Sequence, residues 1–434
     1  MPEAADVALA ETPATARLVQ APAGYGPAVP PLATIEDAAR VLARLAARTP
    51  MEVSRYLGRI AGAPVHLKLE NLQRTGAFKI RGASYRLSRL SDADRARGVV
   101  AASAGNHAQG VALAAHELGI EATIFMPIGV PLPKLEATRD YGATVELVGH
   151  TVDESLRAAA DFAERTGAVL IPPFDHPDVI AGQGTLGLEV MDEVPDVDTV
   201  VVPIGGGGLV AGIAAAVKQR ADAAGRVVRV VGVQAENAAA FPASLAAERP
   251  MTVAVSPTIA DGIAVATPGR LTYEVVAELV DEVVTVTDDE TASALLVLLE
   301  RAKQVVEPAG AVGVAALLAG KLPDPGRTVV VLSGGNIDPL MMERVISRGL
   351  VASDRYLTLR IGLPDRPGQL AEISRLIADA NANVVEVLHT RHHTGLQISE
   401  VQIEISVETR GPAHRDRVLE TLRADGYDPH VVAT

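Results

Sequence analysis

The spacing of apolar residues changes near residue 353, and this change constrains the fold more than any other feature of the sequence. Before that point, continuous apolar runs alternate with Ala- and Leu-rich stretches. Continuous runs are typical of strands covered on both faces, and their alternation with helices predicts a parallel α/β architecture. The predicted strands are 98–101, 122–126, 145–148, 199–204, 227–233 and 328–332, and the clearest predicted helices are 107–118, which Gly119 ends, and 211–220.

Residues 353–434 follow a different pattern, in which polar and apolar residues alternate. Such alternation predicts strands with one buried and one solvated face, and therefore an antiparallel sheet with helices on one side. The βαββαβ order that results is ferredoxin-like. No set of acid, base and nucleophile is evident, so we expect a separate domain for regulation or assembly. Its predicted elements are strand 356–361, helix 370–380, strand 384–390, strand 400–408, helix 412–424 and strand 428–433.

The composition excludes several classes of protein. The net charge of −14 argues against binding to nucleic acid, which requires a basic face. The mean hydropathy of +0.22 is high, but the longest uncharged stretch, 199–217, contains Pro203 and four consecutive glycines, which a membrane span does not accommodate. The absence of Cys removes thiolate chemistry. Residues 1–30 are rich in Ala and Pro and predict a flexible tail without a signal peptide, so we expect a cytoplasmic protein.

Lys79 is the first candidate for chemistry. It lies between Phe78 and Ile80 in a helix that Thr75 is predicted to open one turn earlier. Apolar neighbours and a helix N-terminus both disfavour the ammonium ion, so we expect a lowered pKa, as a Schiff-base lysine requires. A surface lysine with an extended side chain is the alternative. The remaining lysines have polar neighbours or lie at helix ends and are expected to be solvated: Lys68, Lys134, Lys218, Lys303 and Lys321.

Three loops at predicted strand ends could hold anions or a substrate, because ligands bind at the carboxyl ends of strands in open α/β sheets. The glycines of 205–208 precede an Ala-rich helix and predict a phosphate site at its N-terminus. The loop 103–107 could bind a carboxylate through its N–H groups. The loop 333–336 follows the predicted strand 328–332 and could also contact a ligand. A tight turn or an ordinary helix cap is the alternative for each. The spacing Gly206-x-Gly208-x-x-Ala211 also resembles a dinucleotide fingerprint, although Glu236 lies too far along to be its acidic residue.

These motifs together resemble the pyridoxal-phosphate (PLP) threonine dehydratases and serine racemases. The resemblance covers about residues 32–349, and residues 353–434 resemble an ACT domain, with its ligand loop at 363–370. It implies the fold type II arrangement of two α/β subdomains in a catalytic domain over 31–350, with a smaller subdomain at roughly 66–160. The matching segments, in order, are 69–83, 103–110, 205–209, 258–263, 306–310 and 333–337.

The resemblance implies roles for individual residues. Lys79 would carry PLP, Phe78 would pack against its ring, Asn106 would hydrogen-bond its 3′ oxygen and Ser333 would face its pyridine nitrogen. The phosphate would be held by Gly205, Gly206, Gly207, Gly208 and Leu209. The substrate carboxylate would be held by Ser103, Ala104, Gly105, Asn106 and His107. The regulatory site of the ACT domain would comprise Asp365, Arg366, Pro367, Gly368 and Leu370.

The implied activity is PLP-dependent β-elimination of L-threonine, and of L-serine as well, to 2-oxobutanoate or pyruvate and ammonia. Serine racemase is the nearest alternative, but Ala104 replaces the serine expected as its second acid/base. The stretch 234–240 has Gln and Ala where the metal ligands Glu and Asp are expected, although Glu236 remains and leaves a shifted site open. An NAD-dependent dehydrogenase would leave Lys79 without a function, and Lys79 and Asn106 argue against an inactive amino-acid sensor. We expect no metal, and His389, His392 and His393 are expected to be solvated. The family implies a homo-oligomer, a tetramer. Isoleucine is the expected effector of the ACT domain if the enzyme is biosynthetic, and valine, another amino acid or no effector are the alternatives.

Overall fold

The computed structural model describes residues 28–390 and 400–432, so the predicted tail lies almost wholly outside the described residues. The chain divides into two compact units, Met1–Ala294 with Leu298–Asp338, and Leu295–Val297 with Pro339–Thr434. The predicted catalytic range of 31–350 extends past Asp338, and the domain bounds stay a prediction. In the described ranges, no helix is both long enough and apolar enough to cross a membrane.

The first unit contains two sheets and the helices that cover them. Its strands are β1 Met51–Val53, β2 Val65–Leu69, β3 Val99–Ala102, β4 Ala122–Met126, β5 Thr144–Leu147, β6 Val169–Leu170, β7 Thr199–Pro203, β8 Arg229–Ala235, β9 Glu282–Val286 and β10 Thr328–Leu332. Its helices are α1 Leu32–Leu42, α2 Arg55–Ala61, α3 Lys79–Ser88, α4 Asp92–Arg97, α5 Asn106–Leu118, α6 Leu132–Asp140, α7 Val152–Thr166, α8 Pro177–Glu193, α9 Gly208–Ala223, α10 Ala240–Ala246, α11 Arg270–Leu279, α12 Asp288–Val297, whose last three residues belong to the second unit, and α13 Pro308–Leu318.

The larger sheet has six strands in the order β1-β2-β10-β7-β8-β9, and only the pair β1–β2 is antiparallel. The smaller sheet is parallel, in the order β5-β4-β3-β6. Every residue of β3, β7 and β10 is buried, as their continuous apolar runs predicted. The parallel α/β architecture is therefore confirmed.

Two of the predicted strands differ from the structure. The run 145–148 was expected to be covered on both faces, but β5 is the edge strand of its sheet and Leu147 is 38% exposed. The run 227–233 was placed too early, because Val227 is 90% exposed and β8 begins at Arg229. An apolar run alone does not distinguish an edge strand from a central one.

The second unit contains the predicted βαββαβ order. Its elements are α14 Pro339–Ala352, β11 Tyr356–Pro364, α15 Gln369–Asp379, β12 Asn383–Thr390, β13 Glu400–Glu408, α16 Pro412–Ala424 and β14 His430–Val431. The sheet is antiparallel, in the order β12-β13-β11-β14. The inward residues of β11 and β13 pack with α15 and α16 in one core, as the alternating pattern predicted.

Lys68 is fully buried, so the expectation of a solvated amine was wrong. Its nitrogen lies 2.8 Å from Glu189 Oε2 and 3.2 Å from Glu193 Oε1, both on α8. Glu193 lies 125 residues further along the chain. The polar neighbours of Lys68 in the sequence therefore reveal nothing about the partners that the fold supplies.

Arg81 continues this buried ion network and lies two residues after Lys79. Its Nε is 2.8 Å from Glu70 Oε2, and its Nη1 is 2.7 Å from Glu189 Oε1. Burial alone would raise the pKa of Glu70, but the charges of Arg81 and Lys68 and the hydrogen bonds from Arg81 and Thr49 together lower it. The network fixes the start of α3 against α8, and so fixes the backbone that carries Lys79.

We predict that Glu70→Ala destabilises the protein by about 3 kcal/mol, because removing one partner leaves a buried charge without full compensation. Glu274→Ala is the matched control, since Glu274 pairs with Arg270 on an exposed helix face and should cost less than about 1 kcal/mol. Denaturant unfolding followed by circular dichroism measures both changes. Equal losses in the two variants would contradict the structural importance of the network.

Candidate active site

The site is built where the loop after β10 meets the segment that precedes Lys79. Leu332, the last residue of β10, pairs with Leu69, the last residue of β2, so the segments that follow these two strands leave the sheet side by side. Phe78 N then donates to the carbonyl oxygen of Ser333 at 3.1 Å, and Gly335 N donates to that of Gly76 at 2.8 Å. This backbone pairing determines where Lys79 lies.

The helix that carries Lys79 begins at Lys79 itself, with Phe78 as its N-cap residue. The predicted start at Thr75 was wrong. Gly76 has a positive φ of 68°, and the hydrogen bonds of residues 76–78 to the loop 333–335 keep this segment out of the helix. Lys79 is therefore the first residue of α3, where the positive end of the helix dipole disfavours an ammonium ion.

The Lys79 side chain is half-buried, and burial lowers the pKa of its amine to about 8, although Glu307 acts in the opposite direction. Its nitrogen donates to the carbonyl oxygen of Pro173 at 2.9 Å and lies 5.2 Å from the centre of the Phe78 ring. The amine can thus lose its proton close to neutral pH. This is the property that both a Schiff-base lysine and a general base require.

The glycine-rich loop after β7 presents unpaired donors. Within the described residues, no backbone N–H of the stretch 205–209 donates a hydrogen bond, although all but Gly205 are buried. Gly207 adopts a φ of 96°, which is accessible to glycine at little cost. Gly208 and Leu209 begin α9. Buried N–H groups at a helix N-terminus fit an anion such as a phosphate.

The loop 103–107 lies at the start of α5, with Gly105 as the N-cap residue. Gly105 N donates to Ser103 Oγ at 3.1 Å, and Ala104 is partly exposed. The His107 side chain is buried and its Nε2 lies 2.9 Å from the carbonyl oxygen of Ile171. Burial and the nearby charge of Lys79 together lower the pKa of His107 to about 3. A carboxylate at this loop would therefore meet the backbone of His107 rather than an imidazolium ion.

Glu307 and Asn336, which received no individual role from the sequence, complete the centre. Asn106 Nδ2 donates to Glu307 Oε1 at 2.7 Å, and Asn336 Nδ2 donates to Asn106 Oδ1 at 2.9 Å. Ser333 is buried, and its hydroxyl has no hydrogen-bond partner within the ranges that the structure covers. A signal for Glu307 existed in the sequence, since an acid within an apolar run and before a helix-opening proline is unusual.

The predicted regulatory residues lie in the second unit, with 365–368 between β11 and α15 and Leu370 in the first turn of α15. Asp365, Arg366, Pro367 and Leu370 are exposed, and Gly368 has a φ of 97° as the N-cap residue of α15. No atom lies within 4 Å of a Cβ added at Gly368, so the backbone conformation rather than space calls for glycine. The loop is accessible to a ligand, and its role stays a prediction.

No group of three or more metal-ligating side chains occurs among residues 28–390 and 400–432. Glu236, the acid retained in the segment where racemases would bind a metal, is exposed. His392 and His393 lie outside the described residues.

The residues present fit PLP. Lys79 offers an amine with a lowered pKa, residues 205–209 offer unpaired donors for a phosphate, and Asn106 and Ser333 offer polar groups within the same centre. This combination defines a PLP-dependent enzyme of the α/β type.

Comparison with known proteins agrees with this class. Residues 42–334 match the model of the pyridoxal-phosphate dependent enzymes, and residues 357–426 match the ACT domain. The chain belongs to the pyridoxal-phosphate dependent enzymes and carries a C-terminal ACT domain. It is 48% identical over 402 residues to the L-threonine ammonia-lyase of Thermotoga maritima, and the alignment covers 92% of this chain and 99% of that relative.

Two solved structures are similar to the larger part of the chain. Threonine deaminase isoform 2 of Solanum lycopersicum matches with a TM-score of 0.69 and 36% identity, and the match covers 73% of this chain and 87% of that protein's chain. Maize serine racemase matches with a TM-score of 0.69 and 35% identity, and the match covers 74% of this chain and 98% of that protein's chain. The fold type II assignment is therefore confirmed, and the fold alone does not separate the two activities.

We predict that Gly207→Ala weakens PLP binding by at least about tenfold, because a Cβ there would lie 2.6 Å from the Phe241 ring and shift the phosphate loop. Gly225→Ala is the matched control, since Gly225 also has a positive φ, of 64°, but no atom within 4 Å of its Cβ position. Titration of the cofactor-free protein with PLP, followed by absorbance, measures both affinities. Unchanged affinity in Gly207→Ala would contradict the assignment of the phosphate loop.

Proposed function

We propose that this chain is an L-threonine ammonia-lyase, which converts L-threonine to 2-oxobutanoate and ammonia. The observation that carries the proposal is the buried Lys79 amine, whose pKa is lowered to about 8, at the head of α3. Similarity to a threonine ammonia-lyase over 92% of the chain, which includes both domains, supports it. We infer that L-serine is accepted as well, because one methyl group contributes only about 1–3 kcal/mol to discrimination.

The overall reaction balances without an oxidant or reductant. The Cα–H and Cβ–O bonds of threonine break and water leaves, and water then enters again as ammonia is released by hydrolysis. Bound PLP supplies the electron sink for the electron pair of the Cα–H bond. The neutral Lys79 amine is the group of this chain that takes the Cα proton.

The other residues of the centre bind and orient. The N–H groups of 205–209 would hold the phosphate of bound PLP, and Asn106 would donate to its 3′ oxygen. Ser333 would offer a hydroxyl to the pyridine nitrogen, and a hydroxyl does not hold that nitrogen protonated as a carboxylate would. The start of α5 at residues 103–107 holds the substrate carboxylate, and Phe78 packs against the ring. These roles rest on the resemblance and on the placement of the residues in the first unit.

Serine racemase is the second candidate, because the maize enzyme has a similar fold. Racemisation requires an acid/base on each face of Cα, and Ala104 has no proton to give at the position where the racemases have serine. We therefore propose elimination as the main reaction.

We propose further that the ACT domain binds an amino acid through the exposed loop 365–370, with isoleucine as the first candidate effector. An effector shifts activity only by its differential affinity for two states of the enzyme. We also propose a homo-oligomer, a tetramer, as the working form in the cytoplasm, because ACT domains of the family bind effectors between copies.

We predict that the purified full chain releases 2-oxobutanoate from L-threonine, with L-serine tested beside it, and that Lys79→Ala loses on the order of 10³-fold or more in kcat, because the general base is gone. Lys303→Ala, at an exposed lysine, is the control and should retain the wild-type rate. Measurement of 2-oxo acid release is the test. A wild-type chain that binds PLP but produces no 2-oxo acid would refute the proposed function.

For regulation, we predict that L-isoleucine or another branched amino acid changes the rate of the wild-type chain and that Arg366→Ala removes this response. Arg375→Ala, on an exposed face of α15, should retain it. Initial rates with and without each amino acid provide the measurement. No response of the wild-type chain to any amino acid would remove the regulatory role of the loop.

A further inference from the structure

Glu307 is a buried acid that the proposed reaction leaves without a role. Its side chain is 7% exposed, and it is the N-cap residue of α13. A Cβ added at Gly334 would lie 2.5 Å from Glu307 Oε1, so the carboxyl group packs directly on the loop after β10. In the described part of the chain, Glu307 has no salt bridge to Lys, Arg or His. Burial of a carboxyl group without an ion pair costs free energy, so this placement needs a physical reason.

A chain of hydrogen bonds connects Glu307 to Thr75. Asn336 Nδ2 donates to the carbonyl oxygen of Thr75 at 2.7 Å and to Asn106 Oδ1 at 2.9 Å, and Asn106 Nδ2 donates to Glu307 Oε1 at 2.7 Å. A backbone carbonyl and a carboxylate can only accept, so the two ends of the chain fix the direction of both amides. One N–H of Asn106 is then left over for a further acceptor.

Glu307 also acts on the Lys79 nitrogen through its charge. It raises the pKa of Lys79 against the larger lowering by burial. Burial and the charge of Asp261 raise the pKa of Glu307 itself to about 7, although Lys134, the hydrogen bond from Asn106 and Lys79 act in the opposite direction. These groups face Glu307 from α3, α5, α6 and the 3₁₀ turn at Asp261. The carboxylate is therefore ionised above about pH 7 and neutral below it.

We propose that Glu307 is a positioning residue of the reaction, whose carboxylate orients the Asn106 amide toward the cofactor and supplies the negative charge that faces the Lys79 nitrogen. The inference rests on the proposed function, because it assumes PLP on Lys79. It differs from a merely structural role for Glu307, which would not affect protonation of that nitrogen.

The test is the absorption spectrum of bound PLP as a function of pH in the full chain, with Glu307→Gln against the wild type. Glutamine can still accept from Asn106 but carries no charge. We expect the Lys79 nitrogen of Glu307→Gln to lose its proton at a pH about one unit lower than in the wild type. A neighbouring opposite charge changes a pKa by about 1–3 units, and the variant lacks that charge. We expect PLP affinity to stay within about threefold. Glu274→Gln, at an exposed acid, should match the wild type.

A second variant tests the inference if Glu307→Gln does not fold. Asp261 is 71% exposed, so Asp261→Asn removes a surface charge that raises the pKa of Glu307. In the wild type, ionisation of Glu307 should change the spectrum of bound PLP near pH 7. In Asp261→Asn we expect this change, as distinct from deprotonation of the Lys79 nitrogen, to move to lower pH, because Glu307 then ionises at lower pH. An unchanged transition would overturn the proposal.

The outcomes separate this inference from the proposed function. A wild-type chain that deaminates L-threonine, with superimposable spectra for Glu307→Gln and the wild type, overturns only the role of Glu307. A wild-type chain that binds PLP without deaminating L-threonine overturns the proposed function, whatever the spectra show.

Discussion

The backbone pairing between residues 76–78 and 333–335 holds the centre together, because it joins two segments that are far apart in the sequence. It holds residues 76–78 against the loop after β10, and the helix that follows begins at Lys79. It also brings Asn336 within 2.9 Å of Asn106. The buried network of Glu70, Arg81 and Glu189 then holds the other side of the same helix.

The electrostatics of the centre depend on this geometry. Burial disfavours an ammonium ion, and the pKa of Lys79 falls to about 8 for that reason. Its position at a helix N-terminus disfavours the charged form as well. Glu307 limits the fall, and its own pKa is raised to about 7 by burial. Two groups that titrate near neutral pH are thus placed around one position, an arrangement that is typical of a site for proton transfer.

Much of the fold could be predicted from the sequence because its cause is local. The continuous apolar runs 199–204 and 328–332 became fully buried strands, and the loops after them became the candidate binding loops. The alternating pattern over 400–408 likewise indicated an antiparallel strand with one buried face. In each case the pattern of apolar residues within the strand itself indicates which of its faces are buried.

The errors and omissions arise where the cause is distant in sequence. Lys68 is buried because α8 brings back Glu189 and Glu193, which no window around Lys68 contains. The start of α3 was misplaced because the partner that hydrogen-bonds to Gly76 and Phe78, and so keeps them outside the helix, is the loop after β10. Glu307 lay in a recognised motif, but its contact with Asn106 spans 201 residues. Long-range polar contacts leave little trace in local patterns.

The most direct test of the account is the pKa of the Lys79 amine in the cofactor-free full chain, measured by pH-dependent acylation and mass analysis of the peptide that contains it. A midpoint near 8, lowered from 10.5, is the predicted result, because only a buried amine at this helix start is neutral enough to serve as Schiff-base former and base. A midpoint at the ordinary value of about 10.4 would show a solvated lysine and contradict the account.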